Sequence, residues 1–132
     1  MDQTALVDPD VDGGKTLFKE LESSLRIEAA FWWKEDDNWK LILATPLVYE
    51  QGPISVYSRI REIIVSEKPV DRKLFEKIRV VSPSAGVVTL LAFAGEGPLP
   101  RGRLIQSESV RGIYVEGAYF YKFEPKTFAK AS

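Results

Sequence analysis

Along the first fifty positions the spacing of apolar residues changes from a helical period to an alternating one. Between Gly14 and Leu25 the apolar positions are Leu17, Phe18, Leu21 and Leu25, the stripe of an amphipathic helix. Ile27–Lys34 and Trp39–Pro46 then read as two strands around the polar segment EDDN. Gly52-Pro53 opens a second helix, because a proline in the first turn gives up an N–H that needs no partner there. Ile54, Tyr57, Ile60 and Ile64 line one side of it. A short third helix is expected after Pro69, capped by Asp71 and packing Leu74 and Phe75. Ile78–Ser82 and Gly86–Ala94 read as a hairpin around SPSAG, and GEGPLPRG as a loop. Arg103–Val110 and Ile113–Phe123 complete the sheet, with a bend at Glu116-Gly117.

This order of elements predicts an α+β fold: an antiparallel sheet of about five to six strands, with two to three helices packed mainly on one face. Residues 1–13 are expected as a flexible N-terminal segment, 14–124 as the single domain, and 125–132 as a C-terminal tail. A chain of 132 residues can build an apolar core without covalent staples.

All three tryptophans, Trp32, Trp33 and Trp39, fall in the first expected hairpin. A loop of Glu35–Asp37 sets Trp33 opposite Trp39, Phe31 opposite Leu41 and Ala29 opposite Leu43. One face is then wholly apolar, as a sheet covered by helices on one side requires. A four-residue loop would instead spread apolar groups over both faces, so the first register is favoured, and in it Trp33 and Trp39 form a core pair. Trp32 shares the opposite face with Lys34 and Lys40, where a ring beside two ammonium groups is a candidate contact surface.

Composition narrows the chemistry. The chain has no cysteine and no histidine, which removes disulfides, thiolate chemistry and every Ser-His or Cys-His arrangement. No catalytic residues and no cofactor are assigned. The start of the chain has no basic region followed by an apolar run, and no apolar stretch is long enough to span a bilayer. The expectation is a cytoplasmic protein without a membrane partner. The net charge of −1 is unevenly spread: residues 1–50 hold 11 acids and 5 bases, residues 51–132 hold 8 acids and 13 bases. Such asymmetry suits self-association or a polyanion partner, although folding can mix the two halves on one surface.

Several motifs approach known chemistry and miss it. Asp8-x-Asp10-x-Asp12-Gly13 matches the opening of a calcium loop, but Lys19 stands where the bidentate glutamate belongs. Asp12 serves equally as the cap of the first helix. Gly13-Gly14-Lys15-Thr16 matches the end of a phosphate-binding loop whose first glycine is replaced by Pro9. Asp71-Arg72-Lys73 and Glu124-Pro125-Lys126 each supply half of a nuclease-type metal site and lack the partner acid.

Glu116–Phe123, EGAYFYKF, resembles the stacking strand of an RNA-recognition motif at Gly117, Phe120 and Phe123. It departs from that pattern at Glu116, Ala118 and Tyr119, and the order of elements is not βαββαβ. Tyr119, Tyr121 and Phe123 read more simply as one core face. The stretch WKLILATPLV…GPISVY, within Ala29–Ile60, resembles small uncharacterised bacterial proteins, which implies a bacterial source and no activity.

The expectation for function is therefore a non-catalytic protein-interaction or self-association module, with a homodimer as one form. Its candidate surface residues are Trp32, Lys34, Lys40, Arg101 and Arg103. One alternative is a nucleic-acid binder using Arg59, Arg61, Lys73 and Arg79, for which only weak binding is expected because Arg59 and Arg61 diverge around a helix. Another is a carboxylate-based metal enzyme, with Asp8, Asp10 and Asp12 as the metal candidates.

Overall fold

The computed structural model describes residues 8–66, 73–83, 86–93 and 101–124. Its elements in chain order are α1 (Asp8–Ser24), β1 (Ala29–Glu35), β2 (Asn38–Ala44), α2 (Leu47–Gln51), α3 (Pro53–Ser66), α4 (Leu74–Lys77), β3 (Ile78–Val81), α5 (Gly86–Phe93), β4 (Ile105–Val110) and β5 (Ile113–Phe123). The fold is α+β with an open five-stranded sheet in the order β3-β2-β1-β5-β4. Every strand pair is antiparallel except β2 with β3, which run parallel. A parallel neighbour needs a long crossover, and residues 45–77 with their three helices supply it.

The first hairpin differs from expectation by one residue. Its loop is only Asp36-Asp37, both in the left-handed region with φ of 52° and 64°, the requirement of a tight two-residue hairpin turn. Glu35 pairs with Asn38, Lys34 with Trp39, Trp33 with Lys40 and Trp32 with Leu41. Because side chains alternate with period two, this single step moves the whole apolar set of β1 to the other face relative to β2. Trp32 is the largest fully buried side chain, at 0% exposure, whereas Trp33 is half-buried. The expected Trp33–Trp39 core pair is therefore replaced: Trp39 shares its cluster with Trp32, and Trp33 lies in the other.

The reason lies on the far side of the sheet. Within the expected strand Gly86–Ala94, residues Gly86–Phe93 form a helix, α5, which covers the second face. An eight-residue apolar run such as GVVTLLAF fits a buried strand or a buried helix equally well, and periodicity cannot separate them. With both faces covered, both must be apolar. On one, Ala30, Trp32, Trp39, Leu41 and Leu43 meet Leu17 and Leu21 of α1, Val56, Ile60 and Ile64 of α3, and Leu74 of α4. On the other, Phe31, Ile42, Ile105 and Phe120 meet Val88 and Leu91 of α5. Phe31 stacks on Phe120 with ring centroids 5.0 Å apart and meets the edge of Phe123 at 5.9 Å.

Smaller departures have local causes. α3 begins at Pro53 as expected, but its inward stripe is Val56, Ile60 and Ile64, and Ile54 is 81% exposed. α2, which the pattern did not suggest, follows Thr45, whose buried hydroxyl accepts a bond from the Leu47 N–H at 3.2 Å. α4 starts after Lys73 with no side-chain cap; Pro69 and Asp71 lie outside the described residues. β5 runs unbroken through Glu116-Gly117. A register shift at Ala30/Phe31 skips Tyr121, so Phe123 leaves the face of Tyr119 and Tyr121 and joins the Phe31 cluster.

Candidate functional site

α1 shapes one wall of a recess lined by cations and aromatic rings. It begins at Asp8, earlier than the expected Gly14, so Gly13-Gly14-Lys15-Thr16 lies inside a helix and not in a phosphate-binding loop. Asp12 is likewise within the helix and does not cap it. Helical backbone also replaces the loop that the calcium reading needs at Asp8, Asp10 and Asp12. It sets position 10 about 200° around the axis from position 8. Among the described residues, no group of three or more acids is placed to hold a metal ion.

Gly14 lets α1 settle on β5. Trp32 Nε1 donates to the Tyr121 hydroxyl at 3.0 Å, and that hydroxyl donates to the Val11 carbonyl at 2.6 Å. A Cβ on Gly14 would stand 2.6 Å from the same hydroxyl and 3.1 Å from the indole nitrogen. Only glycine leaves room for this contact. Further along, Lys122 Nζ bonds Glu22 at 3.0 Å and ties the second half of α1 to β5.

Between those ties, α1 and β5 border an open cleft of about 380 Å³. Phe18, Tyr119 and Tyr121 provide its rings; Phe18 lies nearly parallel to Tyr121, with centroids 6.1 Å apart, and Tyr119 meets Tyr121 edge-on at 5.5 Å. Lys15 and Lys19, one helical turn apart and flanking Phe18, stand on one wall. Arg101 and Gly102 form the other, held by the Gly102 N–H bonding the Phe120 carbonyl at 3.1 Å. Among the described residues no carboxylate lines the cleft, and none of Lys15, Lys19 and Arg101 makes an ion pair. Three cations and three aromatic rings thus line one cleft, with no acid of the described residues among them.

The sequence-derived candidates fall in several places. Trp32 is buried under α1 and unavailable as a surface contact. Lys34 and Lys40 are half-buried and face opposite sides of the sheet, since Lys34 pairs with Trp39 and Lys40 with Trp33. Arg103 is exposed but forks onto Glu108, at 3.1 and 3.4 Å. Arg101 alone of the five lines the cleft. The basic set is also divided. Arg59 pairs with Glu62 at 3.8 Å, and Arg61 lines a separate shallow depression with Val65, Phe75 and Glu76. Arg79 donates to the neighbouring Ile78 carbonyl at 3.1 Å, and Lys73 is exposed just before α4.

A larger depression, about 460 Å³, lies beside Leu25, Gln51, Ile54 and Ser58, but its cation, Arg59, is the one paired with Glu62. Lys15, Phe18, Lys19, Tyr119 and Tyr121 were not among the sequence candidates. Their signal was nonetheless present: a Lys-x-x-Phe-Lys step on one helix face, and tyrosines at alternate positions of an aromatic strand. What the sequence lacked was the packing of α1 against β5.

No described helix is long and apolar enough to cross a membrane. No protein-family model matches the chain, and no curated protein or solved structure matches it.

Proposed function

We propose that this protein is a non-catalytic interaction module whose α1–β5 cleft receives an acidic segment of a partner protein. The observation that carries the proposal is the set of three cations, Lys15, Lys19 and Arg101, lining one cleft with Phe18, Tyr119 and Tyr121 and with no acid of the described residues. Cations beside aromatic surface suit a segment that brings a carboxylate and an apolar or aromatic side chain together. A long polyanion suits the cleft less well. α1 as a whole carries five acids against two lysines, so a nucleic-acid backbone extending beyond the cleft meets repulsion.

Fluorescence anisotropy with a labelled random copolymer of glutamate and tyrosine tests this, with labelled single-stranded RNA as the competitor class. Binding of the copolymer should weaken about tenfold or more in a Lys15→Glu/Lys19→Glu variant. It should persist in Arg59→Glu/Arg61→Glu. Tighter binding of RNA than of the copolymer, lost in the α3 variant, would replace this reading with the nucleic-acid one.

A further inference from the structure

The geometry points to a narrower occupant, resting on the cleft reading above: we infer that the cleft selects an aromatic ring bearing a dianion, a phosphorylated tyrosine in the partner segment. Size is the first argument. At about 380 Å³ the cleft is near the lower end of ligand pockets, roughly 300–1,000 Å³, and takes one ring with its substituent more readily than a run of side chains.

Charge is the second. Lys15 and Lys19 approach from α1 and Arg101 from the opposite wall, with no acid of the described residues lining the space between. One carboxylate leaves two of these cations unmatched. A phosphate monoester carries close to two negative charges and three acceptor oxygens, which match two ammonium groups and a guanidinium fork. The rings are the third. Phe18, Tyr119 and Tyr121 form a lining that inorganic phosphate alone leaves uncovered and a phenyl ring covers.

Titration of the full chain with phenyl phosphate, followed by ¹H–¹⁵N NMR, tests the inference against inorganic phosphate and phenol as separate probes. The expected result is shifts centred on Lys15, Lys19, Gly102 and Tyr119, with phenyl phosphate bound at least about tenfold tighter than either probe. Arg101→Glu, at an exposed position, should weaken phenyl phosphate about tenfold while the rest of the spectrum keeps its dispersion. Tyr119→Leu should weaken phenyl phosphate and leave inorganic phosphate unchanged. A second arm compares the peptides Glu-Tyr-Glu and Glu-phosphotyrosine-Glu, and the phosphorylated form should bind at least about tenfold tighter. Equal affinity of the two peptides, or of phenyl phosphate and inorganic phosphate, overturns the inference while leaving an acid-binding cleft in place. Loss of all binding, including that of the glutamate–tyrosine copolymer, overturns both readings.

Discussion

At the scale of single residues, the clearest consequences come from two adjacent glycines in one helix. A methyl group on Gly13 would meet only Leu74 Cδ2, at 3.6 Å, an ordinary contact. Alanine is favoured over glycine in a helix by about 0.8–1.0 kcal/mol, so Gly13→Ala should stabilise the protein by up to about that amount. The same methyl on Gly14 would press on the Tyr121 hydroxyl, which cannot yield freely because it bonds both Trp32 and Val11. Gly14→Ala should therefore destabilise by about 1–3 kcal/mol despite the same gain in propensity. Urea melts of the two variants check the pair, and equal signs would contradict the packing of α1 on β5. The tryptophans give a second contrast. Trp32→Ala truncates the largest buried side chain and should cost about 3–5 kcal/mol. Trp33→Ala, at a half-buried position, should cost clearly less. Gly117 carries a third: its added Cβ would lie 2.6 Å from the Trp39 ring, which reaches across Lys34 of β1. Gly117→Ala should lower the urea midpoint, by an equivalent of about 1–3 kcal/mol.

At the scale of elements, the turn that sets the register is also the place to test it. Asp36 and Asp37 both occupy left-handed backbone, which costs a residue with a Cβ about 1–2 kcal/mol unless its side chain compensates. Asparagine and glycine fit these positions best, so Asp36→Asn with Asp37→Gly should raise stability by about 1 kcal/mol in thermal melts. A three-residue loop in this hairpin would give no such gain. The helices at Leu17–Leu21 and after Pro53 were legible because their apolar spacing is long and regular, and the last hairpin because Arg111-Gly112 separates two clear strands. Two departures were one and the same. Reading Gly86–Ala94 as a strand left the second face of the sheet uncovered, and an uncovered face demanded polar residues there. That demand selected the register that placed Trp32 outside. With GVVTLLAF as a covering helix, both faces of β1 can be apolar, and the register set by the Asp36-Asp37 turn is allowed. The sheet edges are treated differently as well. On β3 the Val80 N–H is capped by the Tyr57 hydroxyl at 3.0 Å, which blunts that edge against pairing with another chain. β4 instead carries Ser107 with φ of 47°, a kink in the middle of a six-residue strand.

At the scale of the whole molecule, the acidic and basic halves of the sequence meet where Lys122 of β5 bonds Glu22 of α1, whereas Arg26 with Glu50 and Arg103 with Glu108 each pair within one half. What remains concentrated is the cleft, where a net acidic helix presents both of its lysines beside Arg101. Lys15 and Lys19 are exposed and make no ion pair with a described residue, so reversing them should leave the melting temperature nearly unchanged while affecting binding. The central claim is that an anionic aromatic ligand enters between α1 and β5, and the hydrogen bond from Trp32 to Tyr121 makes that contact directly observable. Tyr121 lines the cleft, and its hydroxyl holds the Trp32 indole N–H, whereas the indoles of Trp33 and Trp39 lie elsewhere. In a ¹H–¹⁵N titration of the full chain with Glu-Tyr-Glu, the Trp32 indole resonance should shift progressively together with the amides of Lys15, Lys19 and Gly102, while the other two indole signals stay in place. Saturable binding that moves the Trp33 or Trp39 indole and leaves the Trp32 signal and the α1 amides unmoved would contradict it.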